Sequence, residues 1–133
     1  MNPKIKMLLD MQRLQYGNKI PEEDAAQLFI TPSTGQHFVF VFTESNVLMY
    51  KFEGDSKGLI TRKEMSADLI EHYERLCDLQ NEEIPLQLDG TSATIWRPHS
   101  QPEYIKLSIA IPRMSDELEA LMDKFGEKAP WLP

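Results

Sequence analysis

GQHFVFVFTESNVLMYKFEG, Gly35 to Gly54, is the stretch on which the fold turns. Two runs rich in β-branched and aromatic residues flank a polar break at Thr43 to Asn46, the pattern of a β-hairpin. Successive strand side chains point to opposite faces, so Phe38, Phe40 and Phe42 share one side and Val39 and Val41 the other. On the return run Leu48, Tyr50 and Phe52 lie opposite Val47, Met49 and Lys51. Loop length decides how the two runs combine. A three-residue loop, Glu44-Ser45-Asn46, pairs Phe42 with Leu48, Phe40 with Tyr50 and Phe38 with Phe52; a two-residue loop sets the Phe face against Val47 and Met49. Asparagine tolerates the left-handed conformation, so the three-residue register is expected.

In that register five aromatic rings and Leu48 make one face of roughly 800 Å². Monomers rarely leave so large an apolar patch in water. Either two of the chain's own helices sandwich the hairpin, or one face meets a second chain, as a homodimer or as a client-binding surface. On the second reading Val39, Val41, Val47 and Met49 are partner-binding candidates.

Outward from the hairpin, Pro3 suits the first position of a helix capped by Asn2 and stopped by Gly17, with Ile5, Met7, Leu8, Leu9, Met11 and Leu14 on a wide apolar face. Pro21 followed by EEDAAQLF predicts a second, short helix with acids in its first turn. Leu59-Ile60-Thr61 reads as a short third strand, and Ser66 as the cap of a central helix to about Gln80 carrying Leu69, Ile70, Tyr73, Leu76 and Cys77. IPLQLDGTSATIW predicts a hairpin around Asp89-Gly90. YIKLSIAI alternates, with Ile105, Leu107, Ile109 and Ile111 inward. Ser115 caps a last helix through Leu118, Leu121, Met122 and Phe125 that ends at Gly126. The expected class is α+β: a mainly antiparallel sheet of about five to six strands in two hairpin regions, helices at both termini and one in the centre. The 133 residues fit a single domain, with a short extended tail at 127–133.

Fourteen basic against 21 acidic residues leave a net charge of −7. That balance repels phosphate backbones and excludes a nucleic-acid partner; it suits a basic protein partner, or solubility alone. Lone Cys77 permits no intramolecular disulfide, which points to a reducing, cytoplasmic setting. No secretory leader is visible, and no run approaches the roughly 20 apolar residues of a membrane span.

Catalytic and metal chemistry find little footing. His37, His72 and His99 are scattered, with no HxH, HExxH or CxxC spacing, so no metal or cofactor is expected. His72 in LIEHYERL lacks a second histidine four residues on and reads as a satisfied or solvated side chain. There is no GxSxG, and a Cys77 buried beside Tyr73 and Leu76 would not form a thiolate readily. GDSKG is a turn rather than a phosphate loop. No catalytic residue is assigned; His99, with nearby carboxylates, is the nominee if the chain is an enzyme.

The acids repeat more regularly. Glu64, Asp68, Glu71, Asp78 and Glu82, with Glu74 and Glu83 nearby, recur at helical steps broken by Arg75. They form either a solvated face with an i,i+4 Glu71–Arg75 pair, or a docking strip for a basic partner whose charge speeds association. Asp68, Glu71, Glu74 and Asp78 are the candidates there. Trp131, between prolines in the tail, folds back onto the core, frays with the tail, or serves as a short peptide ligand.

Taken together, the FVFVF and VLMYKF strands, the Ser66–Gln80 helix, YIKLSIAIP and the Ser115–Phe125 helix follow an order that resembles type III secretion chaperones. The resemblance implies a small α+β dimer holding an effector segment against apolar sheet and helix surfaces. It rests on topology, transfers no functional residue, and the PEEDAAQLF helix departs from the family plan. The expected function is a non-enzymatic, acidic protein-binding module of secretion-chaperone, immunity or inhibitor type, from a bacterium or phage. Its partner would be a basic toxin, a nuclease or a secreted effector. A self-associating structural subunit is the alternative, and a small enzyme the third reading.

Overall fold

The computed structural model describes residues 3, 7, 10, 11, 14, 16, 19, 20, 25–32, 35–54, 58–66, 70–78, 92–97, 103–107 and 112–129. The Gly35–Gly54 stretch is the expected hairpin, made of β2 (His37–Phe42) and β3 (Asn46–Phe52). Its register is the other one. Phe42 lies opposite Val47, Phe40 opposite Met49 and Val39 opposite Tyr50. The cause is local to Thr43 and Asn46. The Thr43 N–H donates to the Asn46 carbonyl at 2.9 Å, and the Thr43 hydroxyl bonds the Asn46 backbone on both sides at 2.9 Å. That closes a two-residue loop, Glu44-Ser45, and moves every β3 side chain to the opposite face from the one expected. The aromatics are thereby divided between the two faces.

The hairpin extends in both directions. On one side β3 pairs with β4 (Leu59–Ser66); on the other β2 pairs with β1 (Ala26–Thr31), which pairs with β5 (Ser92–Arg97), which pairs with β6 (Glu103–Leu107). The six strands run in the order β4-β3-β2-β1-β5-β6 and all neighbours are antiparallel. Helix α1 (Ile70–Asp78) lies between β4 and β5 in sequence, so the chain passes over the sheet there; helix α2 (Pro112–Lys124) follows β6. The class is α+β, mainly antiparallel sheet. Pro3, Met7, Asp10, Met11 and Leu14 are also helical.

AQLF of the expected short helix EEDAAQLF instead lies in β1 (AQLFIT) at the middle of the sheet, and Glu22 to Asp24 lie outside the described residues. Consecutive apolar residues carry no decisive period in so short a run. Two pairing partners and two covered faces decide: Leu28 and Ile30 enter one core and Phe29 the other. The short third strand instead runs eight residues, so Ser66 ends β4 rather than capping a helix, and α1 is described from Ile70. Arg62 and Lys63 suit that strand because their stems cover the sheet while their heads find partners. The Arg62 guanidinium sits 5.7 Å from the Tyr50 ring centre, and its Nε donates to the Tyr50 hydroxyl at 3.2 Å. Lys63 Nζ donates to the Phe125 carbonyl at 2.9 Å. The first arm of the Asp89-Gly90 hairpin, together with Ile109 and Ile111, lies outside the described residues.

Each sheet face has its own core. Toward the helices, Leu28, Ile30, Phe38, Phe40, Phe42, Val47, Met49 and Ile95 pack against Leu76 of α1 and Met114, Leu118, Leu121 and Met122 of α2. On the far face, Phe29, Val39, Val41, Leu48, Tyr50, Phe52 and Trp96 pack with Tyr16 and Ile20. Helices α1 and α2 therefore lie on one face of the sheet, and Tyr16 and Ile20 of the N-terminal segment help cover the other.

Helix α2 ends as its sequence predicts. Gly126 has φ +75°, the Glu127 N–H returns to the Met122 carbonyl and the Gly126 N–H to the Asp123 carbonyl, each at 3.0 Å. This is a Schellman stop, which needs a residue at ease in the left-handed region. At the open end of the hairpin, a Cβ on Gly54 would collide with the Gly35 carbonyl oxygen, so that backbone approach requires glycine.

Tyr16 is the plug of the far core. Fully buried, it lies against Phe52 (ring centres 4.6 Å apart) and Phe29 (6.2 Å), and its hydroxyl reaches Thr31 Oγ1 at 3.1 Å. Tyr16→Ala should lower stability by about 3–5 kcal/mol and Tyr16→Phe by about 1 kcal/mol, read from urea denaturation. An alanine variant as stable as the parent would show that Tyr16 does not hold this face.

Candidate functional site

The sites expected on the hairpin are closed to any partner. Val39, Val41, Val47 and Met49 are each 0% exposed, the first two in the far core and the others beneath the helices. A strand apolar on both faces is stable in water only when both are covered, and here one chain covers both. These four residues are core.

Charge gathers instead on the helix layer. Helices α1 and α2 pack against one another. Leu76 and Tyr73 of α1, with Met114, Leu118, Leu121 and Met122 of α2, turn to the sheet. The outer surface is left to polar residues. Within the two helices seven acids (Glu71, Glu74, Asp78, Asp116, Glu117, Glu119, Asp123) stand against three bases (Arg75, Arg113, Lys124). Glu71, Glu74, Asp116 and Asp123 are exposed.

A hydrogen-bonded clasp fixes this layer. Arg75 Nε donates to Glu117 Oε1 at 2.8 Å, bridging α1 to α2, while Arg75 Nη1 lies 3.6 Å from Glu71 one turn back. His72 Nδ1 is 3.1 Å from Glu117 Oε2 and 3.4 Å from Arg75 Nη2. Glu117 thus holds two α1 side chains with its two oxygens. The hydrogen bond to Glu117 raises the Arg75 pKa above its ordinary value, with the charges of Glu117 and Glu71 adding to it and desolvation opposing. The guanidinium stays charged at every pH at which proteins are handled. His72 is buried and partnered, as a structural histidine would be.

Of the acids expected on one helix, Glu64 departs from that place. Glu64 belongs to β4, where it accepts from the Asn46 amide and lies 3.8 Å from Arg62. Glu71 makes the i,i+4 pair with Arg75, Glu74 is exposed on the same helix, and Asp78 falls in α1. Asp68, Glu82, Glu83, His99 and Trp131 lie outside the described residues. What the linear reading missed is the share of α2. Glu117 of α2 meets Arg75 and His72 of α1, and Asp116 and Asp123 are exposed on the same helix.

A second ionic cluster ties the sheet to the end of α2. Glu127 lies 3.0 Å from Lys51 and 3.5 Å from Lys63. Lys51 and Glu127 are mostly sheltered, and Ala129 beyond them is buried in the helix-side core. This cluster is structural. Among the described residues no group of three or more His, Cys, Asp or Glu is placed to hold a metal ion, and no helix is long and apolar enough to cross a membrane. No family model, curated protein or solved structure matches the chain.

The clasp makes a measurable claim. Glu117→Ala should lower the thermal midpoint, by less as salt is added, because it frees Arg75 and leaves His72 short of its acceptor. Glu71→Ala, which removes one solvent-exposed pair, should leave the midpoint nearly unchanged. Equal losses in the two variants would place the clasp elsewhere.

Proposed function

We propose that this chain is a non-enzymatic, acidic protein-binding module, working in the cytoplasm, that docks a basic protein through the outer surface of its α1–α2 layer. The observation that carries this reading is the pairing of an acidic two-helix surface with a sheet whose apolar faces are already covered. A surface held by the Arg75–Glu117 clasp presents its carboxylates without first having to order them, which lowers the cost of binding. Aligned charge of one sign speeds encounter with an oppositely charged protein. Among such modules, an immunity or inhibitor protein against a basic toxin or nuclease uses such a surface best. A secretion chaperone would need an apolar sheet face, and those faces are spent on the core. The single cysteine and the acidic balance support a cytoplasmic setting.

The test is capture from the native host with the parent protein and with Glu71→Lys/Glu74→Lys, at low and moderate salt. Both positions are exposed, so the variant should melt with the parent. A basic protein retained by the parent should be lost from the variant, and lost from both as salt rises. Capture unaltered by charge reversal and by salt would remove the helix surface from the argument. A self-associating structural subunit is the second reading, favoured by the geometry of one sheet edge.

A further inference from the structure

That edge is β4. Among the described residues it ends the strand order and, at eight residues, is the longest strand. It also carries Leu59 and Ile60, two large apolar side chains each 40% exposed. A long edge strand is a template for another strand unless its charges forbid pairing.

The direction of its backbone follows from the hairpin. The Thr43–Asn46 pair is hydrogen-bonded, and bonded pairs alternate along an antiparallel ladder. Leu48 and Tyr50 therefore bond toward β2, and Val47, Met49 and Lys51 toward β4. Their partners Met65, Lys63 and Thr61 point their backbone groups inward, which turns those of Arg62 and Glu64 to the rim. The side chains of Arg62 and Glu64 stand on one face, opposite in sign, with 44% and 46% of their surface exposed.

We infer that β4 pairs edge to edge with β4 of a second copy of this chain, antiparallel, about a two-fold axis at Lys63. On that axis residue 62 of each copy lies opposite residue 64 of the other. Arg62 then meets the second copy's glutamate and Glu64 its arginine, at the cross-strand separation of about 5 Å where opposite charges attract. The same register sets rim-directed backbone groups against rim-directed groups, whereas a slip of one residue sets them against inward-directed ones and loses the bonds. Two lysines would face each other on the axis. Each Lys63, however, turns to the opposite sheet face, where it is held by the Phe125 carbonyl and Glu127 of its own chain. A uniformly basic edge would bar the contact; this edge is complementary to itself.

Sedimentation equilibrium of four proteins tests the pairing, with circular dichroism to confirm that each is folded. The parent should be a dimer. Arg62→Glu and Glu64→Lys should each lose the dimer, because each sets like charges across the axis. An equimolar mixture of the two should recover it, since every cross-axis pair is then opposite in sign, and Arg62→Glu/Glu64→Lys in one chain should recover it too. A parent that stays monomeric at all concentrations, single variants that stay dimeric, or a mixture that stays monomeric would each overturn the inference. The acidic helix surface would be untouched by that failure, because the pairing does not rest on it.

Discussion

A sheet that is apolar on both faces needs two covers, and the rest of this molecule is arranged around that need. Toward one face the chain sends α1 and α2, whose Leu76, Met114, Leu118, Leu121 and Met122 close over the phenylalanines of β2. Toward the other it sends Tyr16 and Ile20. Burying a large side chain contributes about 1.5–3 kcal/mol, so neither face would hold if left open. Val39, Val41, Val47 and Met49, the hairpin side chains read as able to grip a client, are turned inward.

With the apolar faces of the sheet covered, the placement of the charge outside them follows from the fold. Helices α1 and α2 are distant in sequence and adjacent over the sheet, so two modest sets of acids become one surface. Arg75 and His72 converge on Glu117 and fix the helices relative to one another. Lys51 and Lys63 converge on Glu127 and fix the end of α2 to β3 and β4. Arg75, Lys51 and Lys63 thus serve as internal ties.

The hairpin was legible from its residues because alternating Phe and Val, interrupted by Thr43 to Asn46, allow little else. The last helix was legible for a similar reason: Leu118, Leu121, Met122 and Phe125 follow one helical stripe, and Gly126 supplies the positive φ that stops it. The register of the hairpin was not legible. It depended on the Thr43 hydroxyl bonding the Asn46 backbone, a preference of a few tenths to about 1 kcal/mol that competes with the turn habits of asparagine. Nor was β1 legible, since Pro21 and the acids after it read as a helix start that carries on into Ala26 to Phe29.

By itself, the sequence determined where apolar and polar residues alternate and where the chain must turn, because those depend on neighbours a few residues apart. It determined the α+β class and the acidic balance in the same way. Tertiary structure alone decided that AQLFIT is a central strand, that Val39, Val41, Val47 and Met49 are core, and that Glu117 meets His72 and Arg75. Those outcomes rest on contacts between residues far apart in the chain. A short apolar segment takes whichever conformation lets both its backbone bonds and its side chains find partners, and only the assembled sheet supplies them.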